Sequence, residues 1–146
     1  MYLENSGGKM GYIYERKIHY YETDKMGVVH HSNYIRFLEE ARSTWMETLG
    51  MSMEKLEEAG YTIPTLEVYC KYKYHVTSGD IITIEPIISE FNGVKMTVTY
   101  NVIDSKTGKI VIDAWTKHCF TDRNIKPVNI KKKDERIYKI FNDVKM

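Results

Sequence analysis

The sequence predicts an α+β fold in which one long helix lies against a single antiparallel sheet. Three observations carry that expectation. Apolar residues from Tyr34 to Leu49 recur every three or four positions, as on one face of a helix. Four segments beyond Gly60 alternate or run β-rich, as strands do. Tight-turn signals at Ser78-Gly79-Asp80, Asn92-Gly93 and Ser105 to Lys109 join them as antiparallel neighbours. With one more strand ahead of the helix, the sheet has five or six strands.

In chain order, the first strand runs from about Tyr12 to Tyr20, rich in Ile13, Tyr14, Ile18 and Tyr20. The helix follows, with Tyr34, Phe37, Leu38, Ala41, Trp45 and Leu49 on its apolar face and Arg36, Glu39, Glu40, Ser43 and Glu47 opposite. Ser32 or Asn33 is the expected N-cap, and Gly50 the permissive residue that ends the helix. Glu39 and Glu40 are expected to pair with Arg36, Arg42 or Ser43. Ser52 to Ala59 forms a short helix closed by Gly60.

Thr62 to Val76 reads as a long strand. Val68, Cys70, Tyr72, Tyr74 and Val76 make its core face, and Glu67, Tyr69, Lys71, Lys73 and His75 its wetter one. Tyr69, Tyr72 and Tyr74 are read as sheet packing. Ile81 to Glu90, Val94 to Ile103 and Ile110 to Thr121 complete the strands. Pro86 argues for an edge or a bulge, because proline cannot donate to the ladder. Asn129 to Arg136 opens a short helix ending near Phe141, its charge run a solvated face.

At 146 residues and 42% hydrophobic, the chain suits one domain spanning 1–146, with a core over about 12–130 and a C-terminal helix over about 131–141. A formal charge of +1 gives no general attraction for nucleic acid or an anionic membrane. No run approaches the roughly 18 apolar residues needed to span a bilayer, and Met1 to Met10 lacks the basic-then-apolar order of a secretory signal. The expected location is the cytoplasm. Cys70 and Cys119 show neither disulfide nor zinc-knuckle spacing and read as buried thiols on strands.

The chemistry concentrates just before the long helix, where Asp24, Gly27, His30 and His31 lie close together. A helix start presents unpaired N–H donors and the positive end of the dipole, which suits an oxyanion. Gly27 lets the segment turn back on itself. Asp24 could then act as nucleophile or general base toward a carbonyl polarised by those donors, with His31 orienting it or managing a proton. The same residues also fit a capped loop and helix with surface histidines. A metal site fits poorly: adjacent histidines point apart, and no further ligands occur at a supporting spacing. Neither a phosphate-cradling glycine loop nor a nucleophile elbow is present. His118 and Cys119, neighbours on a strand, face opposite sides and make a poor nucleophile pair.

The segment Ile18 to Tyr34, with its core Thr-Asp-x-x-Gly-Val-Val-x-His-x-x-Tyr, resembles the active-site signature of the 4-hydroxybenzoyl-CoA thioesterase family of hotdog-fold acyl-CoA thioesterases. The likeness runs on through Tyr34 to Arg42 and the Ser78-Gly79-Asp80 turn, and is closest to the bacterial short-chain branch. Lys17 replaces the usual Gln or Arg, and His75-Val76 a frequent Pro-Ala pair.

The resemblance implies a sheet wrapped around one central helix, and an enzyme that hydrolyses short-chain or aromatic acyl-CoA to free acid and CoA. Asp24 would be the essential carboxylate, His31 the accompanying histidine, and the His31 N–H the donor to the thioester oxygen. Gly27, Val28, Val29, His30, Ser32, Asn33 and Tyr34 would line the substrate. Lys71, Lys73, Lys131 and Lys132 are candidates for the CoA phosphates. No metal or other cofactor is needed. A homodimer or homotetramer with its site at the subunit interface is the implied assembly. An acyl-carrier-protein thioesterase and a non-catalytic module binding acyl-CoA or a partner protein are the alternatives.

Overall fold

The computed structural model describes residues 1–4, 8 and 10–146; of the stretch Met1–Met10, residues 5–7 and 9 lie outside the described residues. The elements are β1 (Tyr2–Glu4), β2 (Met10–Tyr12), β3 (Tyr14–Lys17), α1 (Asn33–Thr48), α2 (Met53–Glu58), β4 (Thr65–Tyr72), β5 (Ile81–Phe91), β6 (Lys95–Asp104), β7 (Ile110–Cys119), α3 (Ile130–Lys133) and α4 (Glu135–Asn142). Five strands form an antiparallel sheet in the order β3-β5-β6-β7-β4, and β1 pairs with β2 in a separate two-stranded sheet. Tyr14 stands opposite Ile84 and Lys17 opposite Ile81. The α+β class expected from the sequence is the class observed.

The chain divides into two compact units, and α1 and β4 to β7 each supply residues to both. One comprises Met1–Arg42, Tyr69–Pro86 and Tyr100–Ala114. Its core joins Phe37, Leu38 and Ala41 of α1 with Ile82, Ile84 and Val102 of the strands, each at most 1% exposed. Burying such a side chain contributes about 1.5–3 kcal/mol. The other comprises Ser43–Val68, Ile87–Thr99 and Trp115–Met146. Here Phe120 packs with Phe91 and Phe141 at centroid distances of 5.7 Å each, and Tyr138 covers Phe91 at 5.2 Å.

Helix ends follow local chemistry. Gly50, at φ +81°, donates to Glu47 O, and Met51 donates to Met46 O, a Schellman closure of α1. Ser52 caps α2 through Lys55 N. The expected single C-terminal helix is two: Asp134 ends α3 and caps α4 by accepting from Ile137 N. The expected cap of α1 by Ser32 or Asn33 is not formed. Ser32 Oγ instead meets His30 Nδ1 at 2.8 Å, and the Asn33 amide donates to Glu22 O at 2.8 Å.

Three strand readings need correction. The first strand divides: β2 ends at Tyr12, β3 at Lys17, and Tyr20–Glu22 wind into a 3-10 turn because Glu22 reaches back to the His19 N–H. β4 stops at Tyr72, where the N–H groups of Lys73 and Tyr74 both turn to Val111 O, two residues against one as in a bulge. Its expected core face is covered only in part: Val76 is 1% exposed and Cys70 and Tyr74 are half-buried, but Val68 and Tyr72 remain 39% and 50% exposed. Alternation reports that two faces differ, not what covers them. Pro86 lies beyond the β3 register, which stops at Ile84, so no β3 partner needs its missing N–H.

Candidate active site

Asp24 and His31 line one cleft of about 410 Å³, with Met26, Val28, Val29, Tyr34, Tyr72, Lys73, Tyr74 and His75. The loop that brings them together is a small hairpin. Thr23 bridges Val29, Asp24 N donates to Val28 O at 2.8 Å, and Gly27, at φ +80°, makes the reversal. Val28 in turn bridges Thr77, and Val29 N donates to Val76 O at 3.0 Å, which lays the Tyr72 to Thr77 segment beside the loop. Asp80 Oδ2 accepts from Thr77 N at 2.8 Å and holds the turn that follows.

Asp24 is half-buried. Its Oδ1 accepts the Met26 N–H at 2.8 Å, and Oδ2 carries no hydrogen bond among the described residues. One oxygen therefore fixes the side chain and the other stays available. His31 is exposed, its ring stacked on His30 at 4.2 Å and set edge-on to Tyr72 at 6.2 Å. No hydrogen bond or ion pair joins Asp24 to His31. The His31 backbone N–H makes no hydrogen bond among the described residues, whereas Ser32 N donates to His30 Nδ1 at 3.2 Å and Asn33 N to His30 O at 3.0 Å. Among the described residues the His31 N–H is thus left unpaired at this helix start. The Tyr72 hydroxyl donates to His31 O at 3.3 Å. Burial, with Cys70 and Tyr72 nearby, pushes the Tyr34 phenol well above its ordinary range, so the cleft wall stays neutral there.

Of the remaining sequence candidates, Val28, Val29 and Tyr34 line the cleft, while Gly27, His30, Ser32 and Asn33 do not. Those four shape the loop and the helix entry instead. Lys73 lies on the cleft wall, 3.4 Å from Asp113; Lys71 is exposed on β4 outside the lining. Lys131 and Lys132 belong to α3 in the other unit and are not lining residues. Sequence reasoning missed Met26, Tyr72, Tyr74 and His75. The strand alternation masked Tyr72 and Tyr74, while the departure at His75-Val76 was the available signal.

Glu22, just before the loop, is a buried charged side chain that sequence reasoning left without a role. It is 4% exposed and paired with Arg16 on β3, which also binds Glu40 of α1 at 2.6 Å. Burial pushes the Glu22 carboxyl up, but the Arg16 hydrogen bonds and the His19 N–H outweigh it and hold it below the usual carboxylate range. Glu40 pairs across to β3 through Arg16 and the Tyr14 hydroxyl.

The pattern for the thioesterase-like superfamily matches residues 18–137, most of the chain. A protein of Aquifex aeolicus (strain VF5), named "Putative esterase", is 37% identical over 84% of this chain and 94% of its own. One of Bacillus subtilis (strain 168), named "Putative acyl-CoA thioesterase YneP", is 29% identical over 81% and 86%. The crystal structure of a DHNA-CoA thioesterase from Staphylococcus aureus superposes with a TM-score of 0.83 over 90% of this chain and 89% of its own, at 23% identity, a likeness of hotdog fold. A match of this extent over fold and signature together makes the chain a member of the thioesterase-like superfamily.

Proposed function

We propose that the protein is a thioester hydrolase, an acyl-CoA thioesterase of the 4-hydroxybenzoyl-CoA thioesterase family acting on short-chain or aromatic acyl-CoA. The observation that carries this reading is the cleft itself: it is lined by a carboxylate with one oxygen held and one available, and by His31, whose backbone N–H at the helix start has no partner among the described residues. With the thioester carbonyl between them, Asp24 attacks the carbonyl carbon or takes a proton from the water that does. The His31 N–H receives the developing oxyanion. The His31 ring, free of hydrogen bonds among the described residues, assists departure of the CoA thiolate.

Tyr34, Tyr72 and Tyr74 give the cleft an aromatic wall, which suits a flat acyl group. The relative named for acyl-CoA and the neighbour named for an aromatic CoA thioester support the same class. Lys73, on the cleft wall, and Lys71 beyond it are the cations we assign to the CoA phosphates.

We read residues 1–146 as one domain, because α1 and four strands run through both compact units. We further propose a homodimer or homotetramer. β4 is an edge strand exposed on both faces, and Tyr20, Tyr21 and Met26 stand about four-fifths exposed around the site loop, at 82%, 79% and 79%. A second copy would cover both. No helix among the described residues is long and apolar enough to cross a membrane. Free Cys70 and Cys119, with a CoA substrate, favour the cytoplasm.

The test is thiol release from acyl-CoAs of increasing chain length and from aromatic ones, with wild type beside Asp24→Asn and His31→Ala. Turnover that falls at least ~100-fold in folded Asp24→Asn supports the assignment, and the panel then names the acyl class. Acyl-CoA binding without hydrolysis of any member would favour a carrier-protein substrate or a non-catalytic module instead.

A further inference from the structure

Glu22 is a buried carboxylate two residues before Asp24, and its side chain is held by Arg16 of β3 as well as by the local His19 N–H. Arg16 grips both of its oxygens, Nη1 reaching Oε1 at 2.6 Å and Nη2 reaching Oε2, while Nε turns to Glu40 at 2.6 Å. The guanidinium lies over the Phe37 ring, 3.9 Å from its centroid. The His19 N–H adds a third bond to the Glu22 carboxylate at 2.8 Å.

The main chain of the same residue works on the opposite side. Glu22 O accepts from His30 N at 2.9 Å and from the Asn33 amide at 2.8 Å. Those bonds hold the residue before His31 and the first residue of α1. The Thr23–Val29 bridge and the Asp24 N to Val28 O bond hold the loop between them. The spacing of the Asp24 carboxylate from the His31 N–H thus depends on a residue that touches neither.

We propose that Glu22 is a positioning residue of the cleft: clamped by Arg16, it holds the Asp24 loop and the start of α1 in register, so that carboxylate and N–H face the same carbonyl. This inference rests on the assignment of Asp24 and His31 above. An anion is needed because it takes both arms of the guanidinium and the His19 N–H where little water reaches. Small displacements matter here, since about 1 Å of misplacement can lower turnover by about 100-fold. Glu40 is the internal comparison. It shares Arg16 but sits on α1, where it also accepts from the Tyr14 hydroxyl.

The experiment measures kcat and KM with benzoyl-CoA and butyryl-CoA, alongside thermal melts, for Glu22→Gln, Glu40→Gln, Asp24→Asn and Glu22→Gln/Asp24→Asn. Glu22→Gln is expected to lower kcat about 10-fold or more with KM within about 2-fold, and to add nothing in the Asp24→Asn background. Glu40→Gln is expected to lower the melting temperature comparably yet keep kcat within about 2-fold. If Glu22→Gln does not fold, Glu22→Asp carries the same expectation, since it keeps the charge but shortens the reach. Equal kcat in the Glu22 and Glu40 variants, or a loss confined to KM, overturns the proposal while an inactive Asp24→Asn leaves the site assignment standing. An Asp24→Asn enzyme with wild-type turnover overturns the assignment and this inference with it.

Discussion

A Cβ placed on Gly11 would fall 2.1 Å from Oε2 of Glu85, so β2 crosses this carboxylate at a distance only a glycine permits. Glu85 is buried, and moving it would disturb one bond: Oε1 accepts from the Asn101 amide at 2.9 Å, and Oε2 has no partner among the described residues. Gly11→Ala should therefore cost about 1–3 kcal/mol by overpacking. Urea melts of Gly11→Ala, Glu85→Ala and the double variant check it. The double variant should recover at least about 1 kcal/mol relative to the sum of the singles; strictly additive costs would exclude the contact.

Replacing Arg16 by Met leaves two carboxylates, Glu22 and Glu40, without their shared cation. Breaking a buried pair from one side commonly costs about 3–5 kcal/mol, and that is the loss expected for Arg16→Met in denaturant unfolding. Adding Glu22→Leu should restore much of it, because the uncompensated charge is gone. A double variant less stable than Arg16→Met alone would show that packing, and not charge, governs this site.

Acid stability should carry the mark of Glu22. Its carboxyl is held below the ordinary value of 4.5, so the folded state binds its proton less readily than the unfolded chain. The stability it contributes is complete above that ordinary value and is lost as pH falls through the lower folded one. Glu22→Gln should flatten the stability–pH curve in that acid window and leave its shape near neutrality unchanged. Parallel wild-type and variant curves below the ordinary value would contradict the pairing.

Cys70 should react sluggishly. Burial pushes its thiol above the ordinary 9.0, against an opposing hydrogen bond to Tyr72, so little thiolate is present near neutral pH. Iodoacetamide labelling followed by peptide mass spectrometry should give a pH–rate midpoint above that value. Tyr72→Phe should move the midpoint further up, and a midpoint below 9.0 would contradict both.

The sequence made some of this legible and hid the rest for physical reasons. Spacings of three and four residues located α1, and Gly50 marked its end because a left-handed residue is a local property. The Asn92-Gly93 and Ser105 to Lys109 turns are equally local, and both join strands as expected. That Asp24 and His31 line one cleft follows from a short hairpin, which is again local in the sequence. Arg16, Glu22 and Glu40 were not, since their meeting depends on where β3 lies against α1, which no local spacing encodes. Tyr72 and Tyr74 were hidden differently: Tyr72 ends β4, and the bulge at Val111 that follows it breaks the alternation and takes the chain out of the ladder into the cleft wall.

β4 carries a hazard as well as the proposed interface. A nascent protomer exposes an eight-residue edge bearing Leu66, Val68, Tyr69 and Tyr72, a template any extended chain can extend. Glu67, 3.8 Å from Lys117, and Lys71 interrupt that edge with opposite charges at a spacing of four, gatekeepers against pairing with an arbitrary strand. Substituting both with threonine would leave the fold's interior untouched and turn a selective edge into an adhesive one, so that yield of dispersed protein during synthesis, rather than activity, registers the change.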